Sequence, residues 1–121
     1  MVNTTFSGNA AFGNSAPPPF LGGGGFYNGA MATASVTNTT FANNYAFLNG
    51  GGVFNATGGD LQLSNTIIVG NDVSSTSGSS AEISGSFTNL GGNVINNNSG
   101  SDIESDAVSY THLTLPTILL V

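Results

Sequence analysis

The 121-residue chain has no lysine, arginine, cysteine or tryptophan, contains 18 glycines and carries a formal charge of −6. Nothing in it can neutralise phosphate, which excludes a nucleic-acid binder and argues against docking on anionic lipid. Hydrophobic residues reach 39% and fall in short β-branched and aromatic clusters, so a packed core is expected, not the disorder that low charge with abundant Gly and Ser would permit.

Taken in order, the chain opens on the phrase Asn3-Thr4-Thr5-Phe6 followed by Asn9. Residues 10–22 follow as a predicted loop insertion, with Pro17-Pro18-Pro19 favouring an extended excursion that cannot donate to a strand ladder. Gly23-Gly24-Gly25-Phe26-Tyr27-Asn28 is a second phrase, and it returns 27 residues later as Gly50-Gly51-Gly52-Val53-Phe54-Asn55. The first phrase returns as Asn38-Thr39-Thr40-Phe41 with Asn44, and 27 residues on as Asn65-Thr66-Ile67-Ile68 with Asn71. Two different phrases on one period indicate an internal repeat, and a period in this range points to a solenoid.

Within each unit three short strands are predicted, around Val53-Phe54, Leu61–Leu63 and Thr66–Val69, with Leu61 and Leu63 alternating against Gln62 and Ser64. Gly and Asn separate them. Three short strands per turn predict an all-β parallel β-helix in which each strand pairs with its equivalent one coil away. Asn tolerates left-handed backbone at a tight corner, and its amide can bond the next Asn in the stack, which gives a physical reason for Asn38/Asn65 and Asn9/Asn44/Asn71 to recur. Residues 73–81 form a polar loop. Residues 82–95 resume strand character through Ile83, Phe87, Leu90, Val94 and Ile95, and residues 96–106 are turn-rich and acidic. The chain starts inside a repeat, with no signal peptide and no apolar run of transmembrane length, so a missing N-terminus is expected.

The repeat phrases resemble those of bacterial right-handed parallel β-helix surface proteins, including the polymorphic outer-membrane protein group. The resemblance is carried by residues 3–9, 23–28, 38–44, 50–55 and 61–71, and residues 82–95 are similar to the closing coil that follows the last repeat in such proteins. It implies a right-handed helix, export to the bacterial surface or medium, and an adhesive or stalk role without an agreed catalytic set. Residues 108–117, VSYTHLTLPT, resemble a translated sequencing-library adapter, so residues 107–121, including the single histidine His112, are expected to be foreign to the protein.

The candidate chemistry is sparse. Polysaccharide lyase chemistry needs a basic residue beside a carboxylate or calcium site, and the chain has no lysine or arginine to supply one. Asp60 and Asp72 are the one acid pair considered for glycoside hydrolysis, with solvated corner residues as the preferred reading. Asp102, Glu104 and Asp106 alternate and are weak calcium candidates. Phe6, Phe26, Tyr27, Phe41 and Phe54 are expected to stack inward in the core, against a sugar-stacking stripe as the alternative.

The sequence is therefore read as residues 1–106 of a truncated β-helix of about three coils, followed by the foreign tail. The expected role is structural or adhesive and non-catalytic, in a secreted or cell-surface protein, with no catalytic residue, cofactor or firm metal site. Expected partners are neighbouring coils of a longer chain, an extracellular glycan or host surface, and further copies through the open ends. Neither nucleic acid nor membrane insertion is expected. The alternative is a fragment of a carbohydrate-active β-helix enzyme or glycan-binding module that lacks its catalytic coils.

Overall fold

A computed structural model describes residues 1–12, 22–74 and 81–96, together with the backbone of 108–109. Among these residues the chain is all β, with no helix. The strands are β1 (Thr5–Ser7), β2 (Ala10–Ala11), β3 (Phe26–Asn28), β4 (Thr33–Thr37), β5 (Thr40–Ala42), β6 (Tyr45–Ala46) and β7 (Val53–Asn55). They continue as β8 (Asp60–Ser64), β9 (Ile67–Val69), β10 (Asp72–Val73), β11 (Ile83–Ser84), β12 (Thr88–Asn89), β13 (Val94–Ile95) and β14 (Val108–Ser109).

Every pairing is parallel, and each strand from β1 to β9 pairs with the strand four places on. The result is four stacked sheets visited in constant order, an arrangement compatible with a parallel β-helix. We name each sheet by its first strand. The sequence reading found only three of the four. It missed the β2 sheet (β2, β6, β10), whose strands are two residues long, too short for alternation to be visible. That sheet also trims the predicted insertion at residues 10–22. Ala10–Ala11 pairs with Tyr45–Ala46, Gly22 bridges Asn49, and residues 13–21 lie outside the described set.

The register explains the period. Thr40 pairs with Ile67 and Thr33 with Asp60, both 27 apart, whereas Thr5 pairs with Thr40 at 35, which absorbs the insertion. Three sheets send side chains into one core. The β1 sheet contributes Phe6, Phe41, Ile68 and Ile95; the β3 sheet contributes Phe26, Val53 and Ile83. Ala34, Val36, Leu61, Leu63 and Phe87 come from the β4 sheet and its approach. Phe6 and Phe41 stack at 5.1 Å with nearly parallel rings, and Phe26 meets Phe41 at 6.3 Å.

Two expectations need correction. Tyr27 and Phe54 do not join the core. They alternate with the buried Asn28, Val53 and Asn55, so period two places them on the opposite face, where their rings stack on each other at 5.5 Å. Leu90, expected as an apolar core position, is 58% exposed, because it leaves β12 at the turn where Gly91 adopts positive φ.

The recurring Asn-Thr phrase is a corner. Asn3, Asn38 and Asn65 take φ of 54°, 50° and 46°, and Gly92 stands at the next equivalent place with φ 72°. The following threonine hydroxyl then donates back to the carbonyl two residues earlier, from Thr4 to Val2, Thr39 to Thr37 and Thr66 to Ser64, at 2.9–3.0 Å. A short polar side chain that bonds locally is what a left-handed corner accepts at least cost. β14, at the start of the tail read as foreign, pairs with β13 at the sheet edge. Any extended segment can make such a pairing, whatever its origin.

Candidate functional site

The most organised polar feature is a ladder of side-chain amides at the corner between the β1 and β2 sheets, exposed at Asn9 and buried at Asn44 and Asn71. The Asn44 side-chain oxygen accepts from both the backbone N–H and the Nδ2 of Asn9, each at 3.0 Å. The Asn71 oxygen accepts the same two donors from Asn44, at 2.9 and 3.0 Å. The sequence predicted this Asn9–Asn44–Asn71 column. The other predicted stack differs: Asn38 donates to Asn3 at 3.1 Å, and the recurrence of Asn at 65 follows from its positive φ. A second ladder, Asn28 to Asn55 at 2.8 Å, runs at the corner after β3 and β7. Among the described residues, every buried side-chain nitrogen or oxygen has a partner.

Among the described residues the column runs as far as Glu82, which the sequence reading treated only as one of six carboxylates. Glu82, 4% exposed, accepts from the Asn71 backbone N–H at 3.2 Å and from Asn71 Nδ2 at 2.6 Å. Burial pushes its carboxyl pKa up from the ordinary value; the Asn71 side chain, the Asn71 backbone and the Gly70 backbone oppose that by hydrogen bonding. The signal was present in the alignment of repeats. Ile83 pairs with Val53, so Glu82 occupies the place held by Gly52 and, one repeat earlier, Gly25. A Cβ at Gly52 would stand 2.7 Å from Asn71 Nδ2, and one at Gly25 would stand 3.0 Å from Asn44 Nδ2. Glycine there leaves room for the ladder amide. At the end of the column the glutamate carboxylate takes the position of the next amide oxygen.

The acid pair considered for hydrolysis is not assembled. Asp60 lies on β8 in the β4 sheet and Asp72 on β10 in the β2 sheet. Asp60 accepts from Gln62 Nε2 at 3.3 Å, and Asp72 from the Val73 N–H at 2.8 Å. No group of three His, Cys, Asp or Glu converges among the described residues. The calcium candidates Asp102, Glu104 and Asp106, and His112, lie outside that set.

A cleft of about 110 Å³ is lined by Gly59, Asp60, Leu61, Ser86, Phe87 and Thr88. It lies where consecutive repeats fall out of step: Thr88 pairs with Gln62 at an offset of 26, after Ile83 paired with Val53 at 30. One carboxylate and two hydroxyl-bearing residues border it, a lining suited to neutral polar groups and unsuited to anions.

No protein-family model, no curated protein and no solved structure matches this chain.

Proposed function

We propose that the chain is a non-catalytic structural or adhesive segment of a secreted or surface-exposed bacterial protein, folded as a right-handed parallel β-helix of about three coils. The observation that carries this reading is the use made of the buried asparagines: Asn28, Asn44, Asn55, Asn71 and Asn93 are all committed to bonds between repeats or to corner backbone. Side chains committed in this way hold strands in register and are not free to bind a ligand or move a proton. In this reading the partners are further coils of the same kind. β1, β2 and β3 each have one strand neighbour among the described residues, so their outer edges are open to strand addition, whereas residues 1–3 already bond the outer edge of β4 at Ser35 and Thr37.

The test is an activity screen of the purified chain on a panel of plant and bacterial polysaccharides, beside a crystal structure that gives the hand of the coil. The reading expects no turnover and a right-handed path. Turnover abolished by Asp60→Asn would overturn it.

The cleft at Asp60, Ser86 and Thr88 favours a second reading, a glycan-binding module. A carboxylate flanked by hydroxyls suits neutral sugar hydroxyls, and the charge of −6 disfavours acidic sugars. A glycan array separates the two readings. Binding to neutral glycans that is lost in Asp60→Asn supports the second, and an empty array supports the first.

A further inference from the structure

We propose that Glu82 is an acid-strengthened latch, which closes the asparagine ladder and fastens β11 onto β7 more tightly as its carboxyl gains a proton. The geometry supplies three elements. First, the carboxyl is buried at the end of the Asn9–Asn44–Asn71 column and receives two hydrogen bonds from Asn71. Second, the chain has no lysine or arginine, so the described donors to this charge are neutral amides. Amide dipoles offset only part of the desolvation of a carboxylate. Third, the backbone of the same segment joins the repeats, with Gly52 N–H donating to Ala81 O and Val53 N–H to Glu82 O, both at 3.0 Å. What happens at the carboxyl is therefore passed directly to the β7–β11 pairing.

Every other step of the column is made by a neutral carbonyl oxygen accepting from an N–H and an Nδ2. A protonated Glu82 presents the same kind of acceptor. The titratable groups on the strands around it are Tyr45 on β6 and Asp72 on β10, both on the outward side of the β2 sheet, with the Asp72 carboxyl occupied by the Val73 N–H. Neither is a cation.

The sign follows from linkage. The folded-state pKa of Glu82 lies above 4.5, so the folded chain holds the proton more tightly than the unfolded chain. Below 4.5 both states are protonated and no penalty applies. As pH rises from 4.5 through the folded midpoint, the charge forms in a buried place and stability falls.

The experiment compares wild type with Glu82→Gln. Urea unfolding is followed by far-UV circular dichroism from pH 4 to pH 8, and the Glu82 carboxyl is titrated directly by carbon-13 NMR. The expected result is a Glu82 midpoint above 4.5 and a Glu82→Gln variant that matches wild type at pH 4 but exceeds it at pH 8. The gain in folding equilibrium constant should be tenfold for each unit by which the measured midpoint exceeds 4.5. Amide exchange at Gly52 and Val53 should slow on acidification in wild type beyond the intrinsic pH effect, and not in the variant. Parallel pH profiles for the two proteins, or a variant less stable than wild type at pH 8, would overturn the proposal. If the variant does not fold, the wild-type titration decides alone, and a midpoint at or below 4.5 refutes the latch.

Discussion

The second and third repeats are built from the same four strands and differ in how strictly they follow their neighbour. β5 and β6 are matched by β9 and β10, and β7 and β8 by β3 and β4, at 27 residues throughout, with glycine where the ladder amide needs space. Further along the third repeat the offset rises to 30 at β11, drops to 26 at β12 and returns to 27 at β13. Its slips therefore cancel before the next corner. The departures coincide with the Glu82 end of the ladder, the cleft that the third repeat forms against Asp60 of the second, and the exposed Leu90. Strict repetition leaves a surface uniform and its polar groups committed. A compensated slip creates a concavity and a buried charge without dislodging the strands that follow.

The largest effect that would break this comparison is loss of the core on which both repeats rest. Phe41→Ala removes a fully buried ring that touches Phe6 and Phe26, and should cost about 3–5 kcal/mol in urea unfolding. Phe87→Ala, at the cleft, should fall at the low end of that range, because the site opens onto solvent and leaves less of an enclosed void. Equal losses at the two positions would erase the distinction between the strict and slipped repeats.

Next in size is the ladder. Asn71→Ala deprives the Asn44 N–H of its acceptor, takes one of two acceptors from Asn44 Nδ2 and removes the Nδ2 donor to Glu82, and should cost about 3 kcal/mol, since each buried group left unpaired costs about 1–3. Its pH dependence should also steepen, because the carboxylate loses the side-chain bond that opposes its upward shift and keeps only those from the Asn71 and Gly70 backbone. A stability loss with an unchanged pH profile would show that Glu82 is insulated from the column.

Much of this was legible in the chain itself. The Asn and Gly phrases on one spacing gave the period, Leu61 and Leu63 gave the alternation of β8, and Asn at a repeated corner gave the left-handed backbone. What escaped has physical reasons. Tyr45–Ala46 is too short to display a period of two. The side on which Tyr27 and Phe54 lie is set by parity against Asn28 and Asn55, and hydrophobicity alone pointed the other way. Glu82 sits in a polar stretch, and only pairing of Ile83 with Val53 brings it under Gly52. The cancelling slips belong to three-dimensional register, which a count of residues between phrases averages out.

The corners allow smaller tests. Asn65→Ala should cost about 1–2 kcal/mol, because alanine at φ 46° has no local hydrogen bond to offset the strain, while Asn65→Gly should be near neutral. Met31 stands at φ 62° with its side chain 92% exposed, and its N–H donates to Gly58 O, one repeat on, where glycine holds φ 83°. Met31→Gly should therefore raise stability, by roughly 0.5–1 kcal/mol after the entropy of glycine is subtracted. Thermal melting at fixed pH reads both, and a destabilised Met31→Gly variant would show that the methionine side chain supports its neighbours.

Constant pairing with the strand four places on makes the molecule a ruler. Excision of residues 38–64 would bring β9 to β1 and β10 to β2, and would offer the Asn71 oxygen to the donors of Asn9; a duplicate of the same segment would find its partners on both sides. Gain or loss of one segment by unequal recombination would thus change the reach by one strand spacing, about 4.8 Å, and leave every type of contact as it was. Distance spanned becomes a heritable quantity, adjustable in equal steps without a new fold for each length.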